Sequence, residues 1–340
     1  MHSHAPAGET RPFTLADLTV NICTVDRPEK LRAALQSLLD TTPPGPSLQL
    51  VLNEASPETW PAIEALVEEW RGPVNVIRIS KRLPVTQSHQ RALDAISTRL
   101  VNFMGDDDLV FADRFTEAIE MFNSVPDLKV VGTWCERIGG DGENVVRKGR
   151  MDIGPVTLDE WAAYRESSTP VQYCFPAVIL DTAVAREEGG FQDRFGSAMD
   201  AALTGYIGRK WPCLTQTERR FGFRIHDGSD SANNFAAQFE RYEYFEDCLR
   251  ALNAGRDEPT LEEWRADRAA QPWLKRKSHE RMVRSRHLFR RSGAALVDGR
   301  RADFVKYAAL SLVAWPPQFF SKAVEQRGRA TPKGQRSTRW

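Results

Sequence analysis

The sequence has few cysteines, no long apolar run and no net charge, and each absence excludes a class of protein. Its five cysteines lie far apart along 340 residues and form no CxxC pair. This argues against a disulfide framework or a zinc site and favours reduced thiols in the cytoplasm. No apolar run approaches the roughly 18 to 20 residues that span a bilayer. The polar start, MHSHAPAGETRPF, lacks the apolar core of a signal peptide. We therefore expect a cytoplasmic globular protein.

The zero net charge conceals an uneven distribution of charge along the chain. Of 46 basic and 46 acidic residues, the segment from Gln271 to Trp340 holds 17 basic and 4 acidic, which leaves 29 basic and 42 acidic for the first 270. The body is acidic and the tail is basic. Such a tail binds an anionic lipid surface or nucleic acid, or keeps a helical region soluble. No nucleic-acid-binding motif accompanies it, so we expect no nucleic-acid partner.

Strand-like and helix-like segments alternate over the first part of the chain. Strands are expected at 18–23, 48–53, 74–79, 100–104 and 129–134, with helices at 28–40, 57–70, 86–97 and 113–123 between them. This alternation predicts a parallel, doubly wound sheet, whose ligand crevice lies outside the carboxyl ends of the strands. The pattern fades over 137–168, where glycines indicate a loop or hairpin. A strand at 173–180, helices near 182–188 and 199–209 and a strand leading into a polar loop over 221–234 follow, and the chain is mostly helical from 235 to about 326.

The stretch LVNFMGDDDLVF places Asp106, Asp107 and Asp108 directly after the apolar strand 100–104. We call these three residues the aspartate triplet. One interpretation is an acidic helix N-terminus, because a helix follows within a few residues. The other is an oxygen-ligand site for Mg²⁺ or Mn²⁺, ions that bridge carboxylates to the phosphates of a nucleotide. The position at the end of a sheet strand favours the metal.

Several segments resemble family 2 glycosyltransferases of the GT-A fold. LTVNICTVDRPEKLRAALQSLL resembles the first strand, loop and helix of the family, and LQLVLNEASPET its second strand and acidic turn. LPVTQSHQRALDAISTRLVNFMGDDDLV is similar to the helix, strand and Asp-x-Asp segment that end the nucleotide half. FPAVILDTAVAREEGGFQDRFGSAMDAAL resembles the acceptor half, which runs through Gly-Gly-Phe to an acidic residue that begins a helix.

The resemblance implies a metal-dependent, inverting transferase that uses a nucleotide-diphosphate sugar. It assigns donor-nucleotide contacts to seven residues: Thr24, Asp26, Arg27, Asn53, Glu54, Asp106 and Asp107. It assigns a divalent metal ion, Mn²⁺ or Mg²⁺, to Asp106, Asp108 and His226. The resemblance also makes Asp200 the general base, and Asp193 the fallback because the usual Glu-Asp pair is Met199–Asp200 here. These roles are chemically consistent, since transfer needs the leaving diphosphate neutralised and the acceptor hydroxyl deprotonated.

The sequence also departs from the family pattern. Gly105 stands where many members have the first aspartate, so the register of the metal ligands within the triplet is open. Asn53 replaces a frequent aspartate, which leaves the preferred base open because an amide both donates and accepts. His89 lies on a predicted helix, where packing is favoured over chemistry, and Gln90 replaces a frequent Asn.

These observations define an expected organisation. We expect a leader over 1–16, a GT-A domain over 17–234 (nucleotide half 17–135, acceptor half 136–234), a helical C-terminal extension over 235–326 and a disordered basic tail over 327–340. The acceptor is a hydroxyl of a glycan, a lipid-linked molecule or another acceptor, in cell-envelope polysaccharide synthesis. A second interpretation of the basic helices adds peripheral contact with anionic lipid at the inner face of the plasma membrane. The alternative functions are a catalytically inactive sugar-nucleotide- or glycan-binding protein and a different metal enzyme, such as a nucleotidyltransferase or phosphohydrolase.

Overall fold

A computed structural model of the chain describes residues 11–139, 145–167, 169–225, 234–297, 299–317 and 319–321. Within these ranges the chain forms one mixed sheet covered by helices, followed by a helical extension. The predicted α/β fold class is confirmed.

The sheet contains nine strands among the described residues. They are β1 (Leu18–Thr24), β2 (Ser47–Asn53), β3 (Val74–Ile79), β4 (Leu100–Gly105), β5 (Leu109–Val110), β6 (Val130–Ile138), β7 (Val145–Met151), β8 (Ile179–Asp181) and β9 (Cys213–Arg224). Their order is β3-β2-β1-β4-β8-β6-β9-β5, and β7 pairs with β6. β3, β2, β1 and β4 are parallel, and β8 is an antiparallel insertion between β4 and β6. Because β6 and β9 are parallel to each other and run in the direction of β4, the carboxyl ends of β1, β4, β6 and β9 meet at one edge.

The helices follow the predicted alternation closely. They are α1 (Pro28–Thr41), α2 (Thr59–Glu68), α3 (Val85–Ala95), α4 (Arg114–Ser124), α5 (Leu158–Glu166), α6 (Thr182–Glu187), α7 (Met199–Lys210), α8 (Phe235–Asn253), α9 (Leu261–Ala269), α10 (Trp273–Val297) and α11 (Arg301–Ala314). In α1, Leu31, Leu35 and Leu38 recur at helical spacing and are all buried. Pro28 occupies its first turn, where the missing N–H costs no hydrogen bond.

Each face of the sheet carries its own apolar cluster. Leu100 and Met104 of β4 pack in one cluster with α1, α2 and α4, whereas Val101 and Phe103 pack in the other with α3, α6 and α7. This alternation follows from the two-residue period of a strand. Both faces of β4 are therefore largely apolar. Its one polar side chain, Asn102, is buried and donates to the Pro176 and Val178 carbonyls.

The helical extension packs onto the sheet domain through a third cluster. Phe195 and Tyr206, from the segment around α7, contact Tyr244 and Phe245 of α8, and Trp264 of α9 completes the cluster. Burying aromatic side chains of this size contributes strongly to association between elements.

Two segments differ from the expectation. Residues 158–166 form α5, where the sequence pattern faded. None of its residues is buried, so the sequence has no apolar periodicity there that would indicate a helix. The segment predicted as a strand over 173–180 begins with a 3₁₀ turn, Phe175–Ala177, and only Ile179–Asp181 pair in the sheet. Pro176 has no N–H to donate to a strand neighbour, which accounts for the turn. The expected domain boundaries stay predictions.

Candidate active site at the carboxyl edge of the sheet

The ends of β1 and β4 bring four predicted site residues together. Cys23 pairs with Gly105 in the sheet, so Thr24 and Asp106 leave the two strands side by side. The Thr24 hydroxyl donates to Asp106 Oδ2 at 2.6 Å. In the loop after β1, Arg27 Nη1 donates to Asp107 Oδ2 at 2.9 Å and Arg27 Nη2 lies 3.5 Å from Asp106 Oδ1. One guanidinium thus contacts two carboxylates of the triplet.

The third aspartate of the triplet faces inward and holds the loop to β9. Asp108 Oδ1 accepts the backbone N–H of Arg224 at 2.9 Å. The Arg224 side chain returns the contact, because its Nε donates to the Asp107 carbonyl at 2.5 Å and its Nη1 to the Gly139 carbonyl at 3.1 Å. Arg224 was not predicted as a site residue. Its only signal in the sequence is its place near the end of an expected strand.

The three carboxylates of the triplet differ in exposure. The side chain of Asp107 is 15% exposed, whereas Asp106 is 3% exposed and Asp108 is 1% exposed. Burial raises the pKa of Asp106, against the opposing effects of Arg27 and Thr24. Burial also raises the pKa of Asp108 well above its ordinary value, and the charge of Asp107 adds to this rise. The site therefore favours the approach of positive charge.

Gly105 is explained by the fold of the triplet itself. A Cβ at this position would lie 2.5 Å from Asp108 Oδ2 and 3.2 Å from Asp107 Oδ1. The space that an aspartate side chain would need is therefore taken by the carboxylates that follow. In this chain the acidic cluster begins at Asp106 for a steric reason.

Asn53 and Glu54 lie at the neighbouring end of β2, but the Asn53 amide is already engaged. Asn53 Nδ2 donates to the Leu83 carbonyl at 2.9 Å, and Asn53 Oδ1 accepts the Leu83 N–H at the same distance. Its amide therefore holds the loop before α3. Glu54 is exposed, and its backbone is left-handed, with φ near 56°. The backbone of Asp26, which is also predicted to contact the donor nucleotide, is left-handed too, with φ of 57°. Their predicted roles at the base and ribose stay predictions.

The candidate base Asp200 lies in the first turn of α7. Its neighbour Met199 belongs to the same apolar cluster as Phe103 of β4. Asp200 Oδ1 accepts the N–H of Ala201 at 2.7 Å, and burial raises the pKa of Asp200. A carboxylate with a raised pKa is the stronger base.

The fallback base Asp193 has a different environment. The Thr86 hydroxyl donates to Asp193 Oδ1, and Gln87 Nε2 donates to Oδ2 at 2.9 Å. Both hydrogen bonds stabilise the charged carboxylate and lower the pKa of Asp193. Because Thr86 and Gln87 form the first turn of α3, they fix the 3₁₀ turn Asp193–Ala198 that leads to Asp200.

Two polar residues that the sequence did not indicate, Gln172 and Tyr242, contact each other. Gln172 Nε2 donates to the Tyr242 hydroxyl at 2.7 Å, and Gln172 is 7% exposed. Its Oε1 is buried without a hydrogen-bond partner among the described residues. Burial raises the pKa of Tyr242, and the charges of Glu246 and Asp200 act in the same direction. Tyr242 belongs to α8, so no motif of the sheet domain could have indicated it.

Of the two histidines named as candidates from the sequence, the structure describes His89. His89 packs against the rings of Phe103 and Phe191, at centroid distances of 5.7 and 5.3 Å, and its Nδ1 bonds to the Val85 carbonyl. Burial lowers the pKa of His89 to about 4. Its environment is that of a packing residue. His226, predicted as a metal ligand, lies outside the described residues.

Comparison with known proteins identifies the family of one domain and the fold. The model of glycosyl transferase family 2 matches residues 19–178. Among solved structures, TarS 1–349 of S. aureus in complex with UDP-GlcNAc superposes with a TM-score of 0.52 at 13% identity, covering 92% of each chain. The mannosyltransferase PcManGT of Pyrobaculum calidifontis, in complex with GDP-Man and Mn²⁺, gives a TM-score of 0.53 at 15% identity, over 96% of this chain and 90% of that one. No curated protein matches the chain.

A longer TarS structure is also similar, with a TM-score of 0.51 and 14% identity over 85% of this chain. The chain spans about half the length of that protein, 53%. At these identities the likeness establishes the GT-A fold.

Residues 19–178 carry a glycosyl transferase family 2 domain, and the structural neighbours share the GT-A fold. The predicted resemblance and the predicted glycosyltransferase class are therefore confirmed.

Proposed function

We propose that the protein is a metal-dependent, inverting glycosyltransferase that moves a sugar from a nucleotide diphosphate to an acceptor hydroxyl. The observation that carries this proposal is the aspartate triplet at the carboxyl end of β4. There, Thr24 and Arg27 contact the triplet from the end of β1. Donor-binding residues from two parallel strands thus meet at the edge where α/β sheets bind ligands.

The carboxylate oxygens of the aspartate triplet suit a divalent ion that also binds the diphosphate of the sugar donor. Among the described residues, no group of three or more His, Cys, Asp and Glu side chains is arranged to hold a metal ion. Mg²⁺ and similar ions bound with nucleotides need only one or two protein carboxylates, because substrate phosphates and water supply the other ligands. We propose Asp106 and Asp107 for this mode, because Asp107 is the most exposed of the three and oxygens of both side chains converge on one cation, the Arg27 guanidinium. When bound, the ion neutralises the charge that develops on the leaving diphosphate.

The protein's own residues perform the remaining steps. Arg27 holds the carboxylates in place and brings a fixed positive charge to the diphosphate side of the crevice. Asp108, bonded to the Arg224 amide, keeps the loop against β9. The proposed ligand roles of Asp108 and His226 stay predictions.

Asp200 is the proposed general base. Its raised pKa and its place at the start of α7 support removal of the acceptor proton as the acceptor oxygen attacks the anomeric carbon. The hydrogen bonds to Asp193 make that carboxylate the weaker base. The charge of Asp200 acts on Tyr242, so Tyr242 and its hydrogen-bond partner Gln172 suit the binding of acceptor hydroxyls near the base.

The acceptor and the pathway are proposed only by their chemical class. Two structural neighbours were solved with UDP-GlcNAc and GDP-Man, so UDP- and GDP-sugars are the first donors to test here. A glycan or lipid-linked acceptor in cell-envelope polysaccharide synthesis is the proposed context. Among the described residues, no helix is long and apolar enough to span a membrane.

The first experiment is calorimetric titration of UDP-, dTDP-, GDP- and CMP-linked nucleotides, with and without Mn²⁺. We expect one nucleotide to bind with the metal and binding to fall at least about tenfold in Asp107→Asn, as loss of a charged contact predicts. Asp159→Asn is the matched control, because Asp159 is an exposed carboxylate on α5. If no nucleotide binds the folded protein, the donor site is refuted.

The second experiment separates an enzyme from a catalytically inactive binding protein. Release of the nucleotide diphosphate is followed for the wild type, Asp200→Asn and Asp193→Asn. The proposal expects Asp200→Asn to bind the donor normally and to lose turnover, whereas Asp193→Asn keeps most of it. Turnover that survives in Asp200→Asn would remove Asp200 as the base, and a wild type that binds donor without turnover would favour the binding protein.

A further inference from the structure

The solvent-facing side of α11 is apolar, which is the reverse of an ordinary surface helix. Its exposed residues include Val305, 62% exposed, Leu310, 42% exposed, and Val313, 74% exposed. Ala302 and Ala309 are exposed on the same side. Successive members of this set lie three or four residues apart along one side of the helix, apart from the adjacent pair Ala309–Leu310. We call these five residues the α11 apolar face.

The opposite side of α11 already has its partner. The Ser311 hydroxyl donates to the Ser285 carbonyl of α10 at 2.8 Å, and Tyr307 lies under the Arg291 guanidinium, 4.3 Å from its ring centroid. Arg281 Nε donates to the Ala314 carbonyl. The side that contacts α10 therefore carries the polar contacts, and the apolar face is not the core-facing side of this helix.

Exposed basic side chains of α11 accompany the apolar face. Lys306 is exposed among its five residues, and Arg301 is exposed directly before Ala302. The acidic side chain nearest in sequence, Asp303, is paired with Arg300 at 2.8 Å. The local surface thus combines an apolar strip with an excess of positive charge.

The chain beyond this hairpin continues the same composition. Phe320, at the end of the described region, is 59% exposed. The following residues, 322–340, contain six Lys and Arg and one Glu. Apolar insertion and a polybasic segment are the two signals that together give stable attachment to an anionic bilayer surface.

We infer that the α11 apolar face is a membrane-interface surface, which lies in the headgroup region of an anionic bilayer with Arg301 and Lys306 of the same helix among the headgroups. The occupant is lipid because the charge around the strip is positive and anionic headgroups complement it. Valine and leucine side chains enter the acyl boundary, while arginine and lysine keep their charged ends in the headgroups. This inference does not depend on the proposed transferase activity.

The test is sedimentation of the full-length chain with vesicles of phosphatidylcholine alone and of phosphatidylcholine mixed with phosphatidylglycerol, at low and high salt. We expect the wild type to bind the anionic vesicles only. In Val305→Asp/Val313→Asp we expect the partition coefficient to fall at least about tenfold, because two apolar side chains no longer insert into the bilayer. Both side chains are exposed, so the variant folds. Leu158→Asp is the matched control, an exposed apolar residue on α5.

The other outcomes overturn the inference. A wild type that stays in the supernatant with anionic vesicles at low salt excludes the surface. Binding that Val305→Asp/Val313→Asp leaves unchanged would show adsorption through basic residues alone. If light scattering shows an oligomer that this variant dissociates, and vesicles are not bound, the apolar face contacts a second copy of the chain instead.

Discussion

Replacing Gly105 by alanine should damage the aspartate triplet although the change adds one methyl group. The new Cβ would lie 2.5 Å from Asp108 Oδ2, well inside contact distance. Asp108 cannot simply rotate away, because it is 1% exposed and its other oxygen accepts the Arg224 N–H at 2.9 Å. Overpacking of this kind costs about 1–3 kcal/mol. Loss of the buried hydrogen bond costs about 1–3 kcal/mol more, so we expect the free energy of unfolding to fall by about 2–6 kcal/mol.

The matched control is Gly293→Ala in the helix interior of α10, where an added Cβ meets nothing within 4 Å. That change should raise the free energy of unfolding by about 0.5–1 kcal/mol, because alanine favours helix. Urea unfolding of both variants measures the difference, and calorimetry with the donor nucleotide shows whether Gly105→Ala also loses affinity. A Gly105→Ala protein with wild-type stability and wild-type nucleotide affinity would refute the steric account of this glycine.

Four further predictions test the site and the core. Thr24→Val should weaken donor binding by about tenfold, because the first carboxylate of the triplet loses its hydroxyl donor, and Thr24→Ser should restore it in calorimetry. Tyr242→Phe should raise the KM for acceptor and leave donor affinity unchanged; an effect on donor affinity would contradict its place beside the base. His89, with its pKa lowered to about 4 from 6.5, stays neutral while the unfolded chain binds a proton. Stability should therefore fall by up to about 1.4 kcal/mol per pH unit between pH 6.5 and 4, and His89→Leu should flatten that slope in thermal unfolding at several pH values. Arg114→Met should lower the free energy of unfolding by about 3–5 kcal/mol, since three buried oxygens lose their donor, whereas the surface control Arg220→Met should cost about 1 kcal/mol or less.

The strands and helices of the first half were predictable because their apolar residues have one unambiguous period. In α1 that period is helical, and β1, β2 and β4 are short apolar runs buried on both faces. Elements without such a signal were missed. β5 has two residues, and α5 buries none. Strand order was not predictable beyond the parallel half, because the antiparallel insertion of β8 depends on pairings between segments about 80 residues apart.

The site residues likewise divide into those that the sequence could predict and those that it could not. Thr24, Arg27 and Asp106 could be grouped from sequence, since residues that follow parallel strands leave the sheet at one edge. The inward orientation of Asp108 could not, because it depends on the Arg224 amide 116 residues away. The hydrogen bonds of the Asn53 amide to Leu83 could not be predicted either, because they follow from the path of a loop that no local pattern specifies.

The helical extension bears on catalysis as well as on stability, because it contacts the segment that carries the proposed base. Gln238 of α8 donates to the Ser197 carbonyl at 3.2 Å, and Arg241 donates to the Arg194 carbonyl at 2.7 Å. Both contacts hold the 3₁₀ turn that precedes Asp200, and Tyr242 on the same helix reaches the Gln172 side chain. The pattern change at residue 234 marks a change in secondary structure. The proposed acceptor site draws on both sides of that boundary, because Asp200 belongs to α7 and Tyr242 to α8.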